Sequence, residues 1–145
     1  MADDRPTQVT EDGLARAAAR IGDRWTLLVV ESLLPGARRF GELSEALPGI
    51  APNILAKRLR QLEQTGLVVS TPYHERPVRL EYQLTALGTE LAGALRLLAT
   101  WGARADGFDA APRHRTCGSP LEVRHWCPTC EVPVDDPDDE GVTWA

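Results

Sequence analysis

The 145-residue sequence describes a mainly α, α+β protein: one helical domain carrying a small hairpin, then a short cysteine-bearing appendage. Three observations lead there. Five stretches between residues 12 and 105 have helical composition or spacing, one stretch alternates as a half-buried strand does, and all three cysteines crowd between Cys117 and Cys130. A composition of 43% hydrophobic and 26% charged residues is that of a globular domain, and the length suits one such domain plus an appendage.

Residues 1–11 are polar and acidic and are expected to be disordered. From Asp12, GLARAAARI reads as a helix with Leu14, Ala18 and Ile21 on one face. Gly22 interrupts it, and Asp23 is suited to cap a second helix, RWTLLVVESLL, ended by Pro35-Gly36. That helix is apolar around most of its circumference and belongs at the centre of the core. A short RRF segment and a helical GELSEAL follow, closed by Pro48-Gly49. Pro52 then fits the first turn of PNILAKRLRQLEQ, and Gly66 fits the position just past its end.

In this last helix Leu55, Leu59 and Leu62 make a narrow apolar stripe, while Asn53, Lys57, Arg60 and Gln64 point the opposite way. Two helices joined by a tight Pro-Gly turn, the second presenting amides and cations, suggest a helix-turn-helix. LVVST, a polar turn at Pro72–Pro77 and the alternating VRLEYQL (Val78–Leu84) add a two-stranded wing. A long amphipathic helix closes the domain, with Leu84, Leu87, Leu91, Leu95 and Leu98 at spacings of three and four. This is the element order of a winged helix-turn-helix with a long terminal helix.

Particular residues carry a more specific likeness. Gly22-Asp23-Arg24-Trp25, Arg39-Phe40-Gly41-Glu42-Leu43, Leu47-Pro48-Gly49-Ile50, Leu59-x-x-Leu62-Glu63 with Gly66-Leu67-Val68, and Glu81-Tyr82-x-Leu84-Thr85-x-x-Gly88 occur in this order. The segment from Gly22 to the Trp101-Gly102 pair resembles the HxlR-type regulators, bacterial relatives of the MarR regulators. The resemblance implies a homodimer built on the terminal helices that binds double-stranded DNA as a transcription factor. It also implies, in many members, a cysteine thirteen residues before the Trp, which some use to sense oxidants or electrophiles; here Asp12 stands there, so that switch does not carry over.

For DNA contact, Asn53, Lys57 and Arg60 are the candidates for base edges in the major groove. Gln61 and Arg58 belong to the same helix, Arg58 lying closer to the apolar stripe and reaching sideways to a phosphate or an acidic neighbour. Arg76 at the wing tip, with His74 beside it, suits the minor groove. Arg38 and Arg39 suit backbone phosphates. Trp25 and Trp101 are expected in packing contacts, with a small-molecule effector pocket beside them as the alternative. Charge agrees with a polyanion partner. The net charge is −5, yet residues 12–104 hold twelve Lys and Arg against nine Asp and Glu, and the acidic excess lies at the ends.

In the tail, His114-x-x-Cys117-Gly118 and Cys127-x-x-Cys130 are two hooks of equal length with nine residues between them. A two-residue gap lets two side chains grip one ion from a tight turn, and Zn2+ takes four such ligands. The expected module, residues 112–134, is a zinc-ribbon-like hairpin with strands in PLEVRHW, binding a structural Zn2+ through His114, Cys117, Cys127 and Cys130. His125 is the rival fourth ligand. A redox pair of Cys127 with Cys130, and thiols without a role, stay open at this point. After the hooks, the chain is expected to leave the fold, with residues 135–145 as an acidic tail.

No enzyme is expected: the main domain lacks a phosphate-binding glycine loop and any Ser-His or Cys-His nucleophile set. A protein-interaction module with the acidic tail as docking surface is the other alternative to a DNA-binding regulator, which is expected to act by repression. MADDRPTQ has neither the basic start nor the apolar run of a secretory signal. The longest apolar run, Leu27–Val30, is far too short to cross a bilayer. The expected location is the cytoplasm, with no membrane partner, where a structural disulfide is disfavoured.

Overall fold

The computed structural model describes residues 7–108 and 112–134. Five helices and five short strands follow in order: α1 (Thr7–Ile21), α2 (Arg24–Leu33), β1 (Arg38–Arg39), α3 (Phe40–Ala46), α4 (Pro52–Gln64), β2 (Val68–Glu75), β3 (Val78–Leu84), α5 (Ala86–Ala105), β4 (His125–Cys127) and β5 (Val132–Val134). The winged helix-turn-helix is present. The described chain divides into two compact units, one from Ala17 to Ala99 and the other formed by the chain before and after it. No helix among the described residues is long and apolar enough to cross a membrane.

The core of the first unit is built where the leucine spacing put it. Val29, Val30 and Leu33 of α2 meet Leu43 of α3 and Leu55, Leu59 and Leu62 of α4, all at most 2% exposed. Burying each such side chain contributes about 1.5–3 kcal/mol, which outweighs the weak intrinsic preferences of these short helices. α2 starts where Asp23 accepts hydrogen bonds from the Trp25 and Thr26 amides, both at 3.1 Å. The buried Thr26 hydroxyl also donates to Asp23, so the one polar residue buried among the described core is satisfied by the cap. At the start of α3 the Arg39 amide donates to Glu42 at 2.6 Å.

The wing sheet has the order β1-β3-β2 and is antiparallel throughout, pairing Arg38 with Tyr82 and Val68 with Leu84. β2 runs to Glu75, four residues past the expected end at Thr71, so the turn shrinks to Arg76-Pro77. Proline at 72 is tolerated because β2 is an edge strand, and the register shifts between Pro72 and His74.

Two expectations about the helices change. α1 begins at Thr7, five residues before Asp12, over residues of ordinary helix propensity; residues 1–6 lie outside the described residues. On α5 the buried face is Gly88 and Leu95, with Leu91 half-buried, whereas Leu87 and Leu98 are about half exposed. Gly88 decides this. A Cβ there would lie 2.2 Å from the Leu67 carbonyl oxygen, so the bare backbone of α5 packs onto that loop and rotates Leu87 outward.

Candidate nucleic-acid interface

α4 divides its polar side chains into two groups. Asn53, Lys57, Arg60 and Gln64 are exposed, and among the described residues no hydrogen bond or ion pair holds them. Arg58 and Gln61 are half-buried and turned inward. Arg58 Nε lies 3.1 Å from Asp23 Oδ1, and its Nη1 donates to Gln61 Oε1 at 2.9 Å. The guanidinium therefore ties α4 to the cap of α2: of the two partners expected for Arg58 it takes the acidic neighbour, while Gln61, a DNA-contact candidate from its helix, is held by Arg58.

The wing is organised around its tip. His74 Nδ1 donates to the Pro77 carbonyl at 3.0 Å, so His74 braces the turn that carries the exposed Arg76. Arg79 pairs across the strands with His74 and is also exposed. Arg79 has no place among the sequence candidates, although the alternation of VRLEYQL puts Arg79, Glu81 and Gln83 on one face. Arg39 stacks on Tyr73 with 4.3 Å from guanidinium to ring centroid, which anchors a cation between β1 and the bulged wing strand. Tyr73 is the second residue that only the structure brings forward. Deeper in the sheet, burial and then Glu63 push the Tyr82 hydroxyl above its ordinary range, with Arg60 opposing.

Arg38 lies elsewhere, on a half-open cleft of about 400 Å³ with Trp25, Glu31, Ser32 and Pro48. Arg24 covers Trp25 at 4.6 Å from its ring centroid. Trp25 thus packs against the core on one side and lines this cleft on the other. Trp101 is 65% exposed, so it is no part of the described core.

A profile of HxlR-like helix-turn-helix proteins matches residues 20–107. The chain belongs to this family. Among its relatives, an uncharacterized HTH-type transcriptional regulator of Mycobacterium tuberculosis, Rv3095, is 39% identical over 123 residues, covering 82% of this chain and 77% of its own. The HTH-type transcriptional regulator YodB of Bacillus subtilis is 36% identical over 85 residues, covering 59% and 76%. Of solved structures, a MarR-family regulator from Enterococcus faecalis V583 superposes with a TM-score of 0.59 at 36% identity, covering 73% of this chain and 94% of that one. The redox regulator HypR in its reduced form gives a TM-score of 0.61 at 29% identity, covering 65% and 93%.

The tail departs from its expected layout. The strands are His125–Cys127 and Val132–Val134, paired across the Cys127-x-x-Cys130 hook, while residues 121–124 have no regular structure. The hook is itself the hairpin turn, so its second strand follows it rather than preceding it, and the chain does not leave the fold at Glu131. The acidic 135–145 segment lies outside the described residues. His114 Nδ1 is 3.2 Å from Cys117 Sγ, and Cys117, Cys127 and Cys130 are all free thiols. Hydrogen bonds from the Ser119 side chain and backbone, then from His114, lower the Cys117 thiol to about 7. Backbone hydrogen bonds at Cys130 and Thr129 lower Cys127, and the neighbouring Cys127 raises Cys130. Among the described residues no three His, Cys, Asp or Glu side chains are arranged around one ion.

Proposed function

We propose that this chain is a sequence-specific double-stranded DNA-binding transcriptional regulator that works as a homodimer. α4 enters the major groove, where Asn53 pairs with adenine and Lys57 and Arg60 with guanine. Arg76 and Arg79 of the wing follow the adjacent minor groove and its phosphates, and Arg39 meets a phosphate next to the tyrosine that holds it. The observation that carries this reading is the partition of α4. Arg58 is turned inward to Asp23 and Gln61 to Arg58, while Asn53, Lys57, Arg60 and Gln64 are exposed and, among the described residues, held by no hydrogen bond or ion pair.

Dimerisation on the terminal helices is supported by the apolar side chains they leave uncovered: Leu14 on α1, and Leu97, Leu98 and Trp101 on α5. Single exposed leucines need no explanation, but a run of this kind on one helix favours a partner surface. Repression is the direction proposed for this regulator, read by placing bound genomic fragments upstream of a reporter gene. An effector, whose chemistry is unidentified, would have the Trp25 cleft available to it.

A mobility-shift titration on genomic DNA fragments at several salt concentrations tests the proposal. Saturable, salt-sensitive binding with a preference among fragments is expected. Absence of binding even at low salt would favour a protein-interaction role for the winged helix.

A further inference from the structure

We propose that His114, Cys117, Cys127 and Cys130 are the ligands of one tetrahedral Zn2+ site, which the ion itself closes from two turns of like construction. The proposal stands apart from DNA binding and rests on the geometry of the tail.

The first turn runs His114-Arg115-Thr116-Cys117-Gly118, the second Cys127-Pro128-Thr129-Cys130-Glu131. In each, the fifth residue donates its amide hydrogen to the carbonyl of the first: Gly118 to His114 at 2.8 Å and Glu131 to Cys127 at 2.9 Å. In each, that fifth residue has a left-handed backbone, with φ of 72° at Gly118 and 55° at Glu131. Each turn also hangs from an antiparallel rung, Arg113 with Pro120 for the first and Cys127 with Val132 for the second. This construction puts side chains one and four together, as the 3.2 Å between His114 Nδ1 and Cys117 Sγ illustrates. The two donors of a tetrahedral zinc site stand about 3.6 Å apart, from bonds of about 2.0 Å to nitrogen and 2.3 Å to sulfur. An ion would enter the first hook by opening it a few tenths of an ångström.

Glu131 is the only non-glycine residue with positive φ among the described residues. Such a conformation is disfavoured for a residue with a Cβ and persists where the surroundings over-determine it. Apolar packing does not do so here. From 112 to 134 no residue is buried, and Leu121, Val123, Trp126 and Val132 are all exposed. A segment this small that holds two constrained turns without a core is what a structural metal stabilises. The two donor pairs do not yet surround one point. Nine residues link them, and a two-point grip on each side of the ion would draw them together. One nitrogen and three thiolates suit the borderline-soft Zn2+ and leave no open position for catalysis.

Elemental analysis of the full-length protein purified under reducing conditions tests this. One zinc per chain is expected, falling at least tenfold in Cys117→Ser and in Cys127→Ser, falling in His114→Ala, and unchanged in His125→Ala. The zinc-depleted protein should bind Co2+ with the absorption of a tetrahedral, thiolate-rich site. Wild-type protein that carries no zinc and takes up no Co2+ would overturn the proposal, with or without a Cys127–Cys130 disulfide. Zinc lost in His125→Ala but kept in His114→Ala would overturn the ligand set. Because the decisive reading is on the wild type, a variant that fails to fold does not shelter the idea.

Discussion

Arg58 Nε lies 3.1 Å from Oδ1 of Asp23, so one carboxylate both caps α2 and receives the guanidinium from the middle of α4. The pair is partly exposed, at 24% and 33%, and solvent screens its attraction. Its consequence is positional. It joins the middle of α4 to the start of α2 and turns Arg58 away from the exposed face that carries Asn53, Lys57 and Arg60.

Asp23→Ala removes the carboxylate that accepts from two backbone amides and from the buried Thr26 hydroxyl, and the ion pair with them. Loss of the cap costs about 1 kcal/mol and the exposed pair at most about another 1 kcal/mol. The Thr26 hydroxyl, buried and left without its acceptor, adds about 1–3 kcal/mol, so chemical denaturation should report a loss of about 2–4 kcal/mol, with Arg58→Ala costing less. Equal losses in the two variants would mean that the cap contributes nothing.

Arg60→Ala and Lys57→Ala should leave stability nearly unchanged, because both side chains are exposed and, among the described residues, held by no hydrogen bond or ion pair. Each should weaken binding to the preferred site by about 1–3 kcal/mol and relax preference at one base pair. Arg58→Ala, corrected for stability, should weaken it less. The comparison is made by titration on the selected site and on single-base variants of it.

Arg76→Ala and Arg79→Ala should weaken binding to most sequences alike. Each phosphate that a variant no longer neutralises makes the slope of log affinity against log salt shallower by about 0.9. An unchanged slope would take the wing off the DNA.

Gly88→Ala is the sharpest stability test. Its Cβ would fall 2.2 Å from the Leu67 carbonyl oxygen, and 3.1 Å from Leu84 Cδ2. Backbone atoms give way less readily than side chains, so a destabilisation of about 1–3 kcal/mol is expected. A neutral result by thermal or chemical denaturation would mean that α5 lies further from the loop.

Most of the fold is legible in the sequence because its signals are local. The Leu55, Leu59, Leu62 stripe is a one-helix pattern, and Pro52 and Asp23 mark helix starts by chemistry that does not depend on distant groups. Leu87 departs from its expected place for the opposite reason: the face α5 buries is set by how closely Gly88 approaches Leu67, 21 residues away in sequence. The same limit applies at the site. Helical angles separate Lys57 and Arg60 from the apolar stripe and put Arg58 beside it, but only packing names Asp23 as its acidic neighbour and brings Gln61 to it. The tail hooks are visible as spacing, while the strands around them depend on a hairpin turn that the spacing itself creates.

Selection of bound duplexes from a random library, run in parallel with wild type and Arg60→Ala, bears hardest on the DNA-binding reading. Two inverted half-sites with centres about 10 base pairs apart are expected for a symmetric dimer, with Arg60→Ala losing preference at one position in each half. No enriched sequence with the wild type, or the same sequence enriched unchanged by Arg60→Ala, would contradict the assignment of α4 as the reading helix.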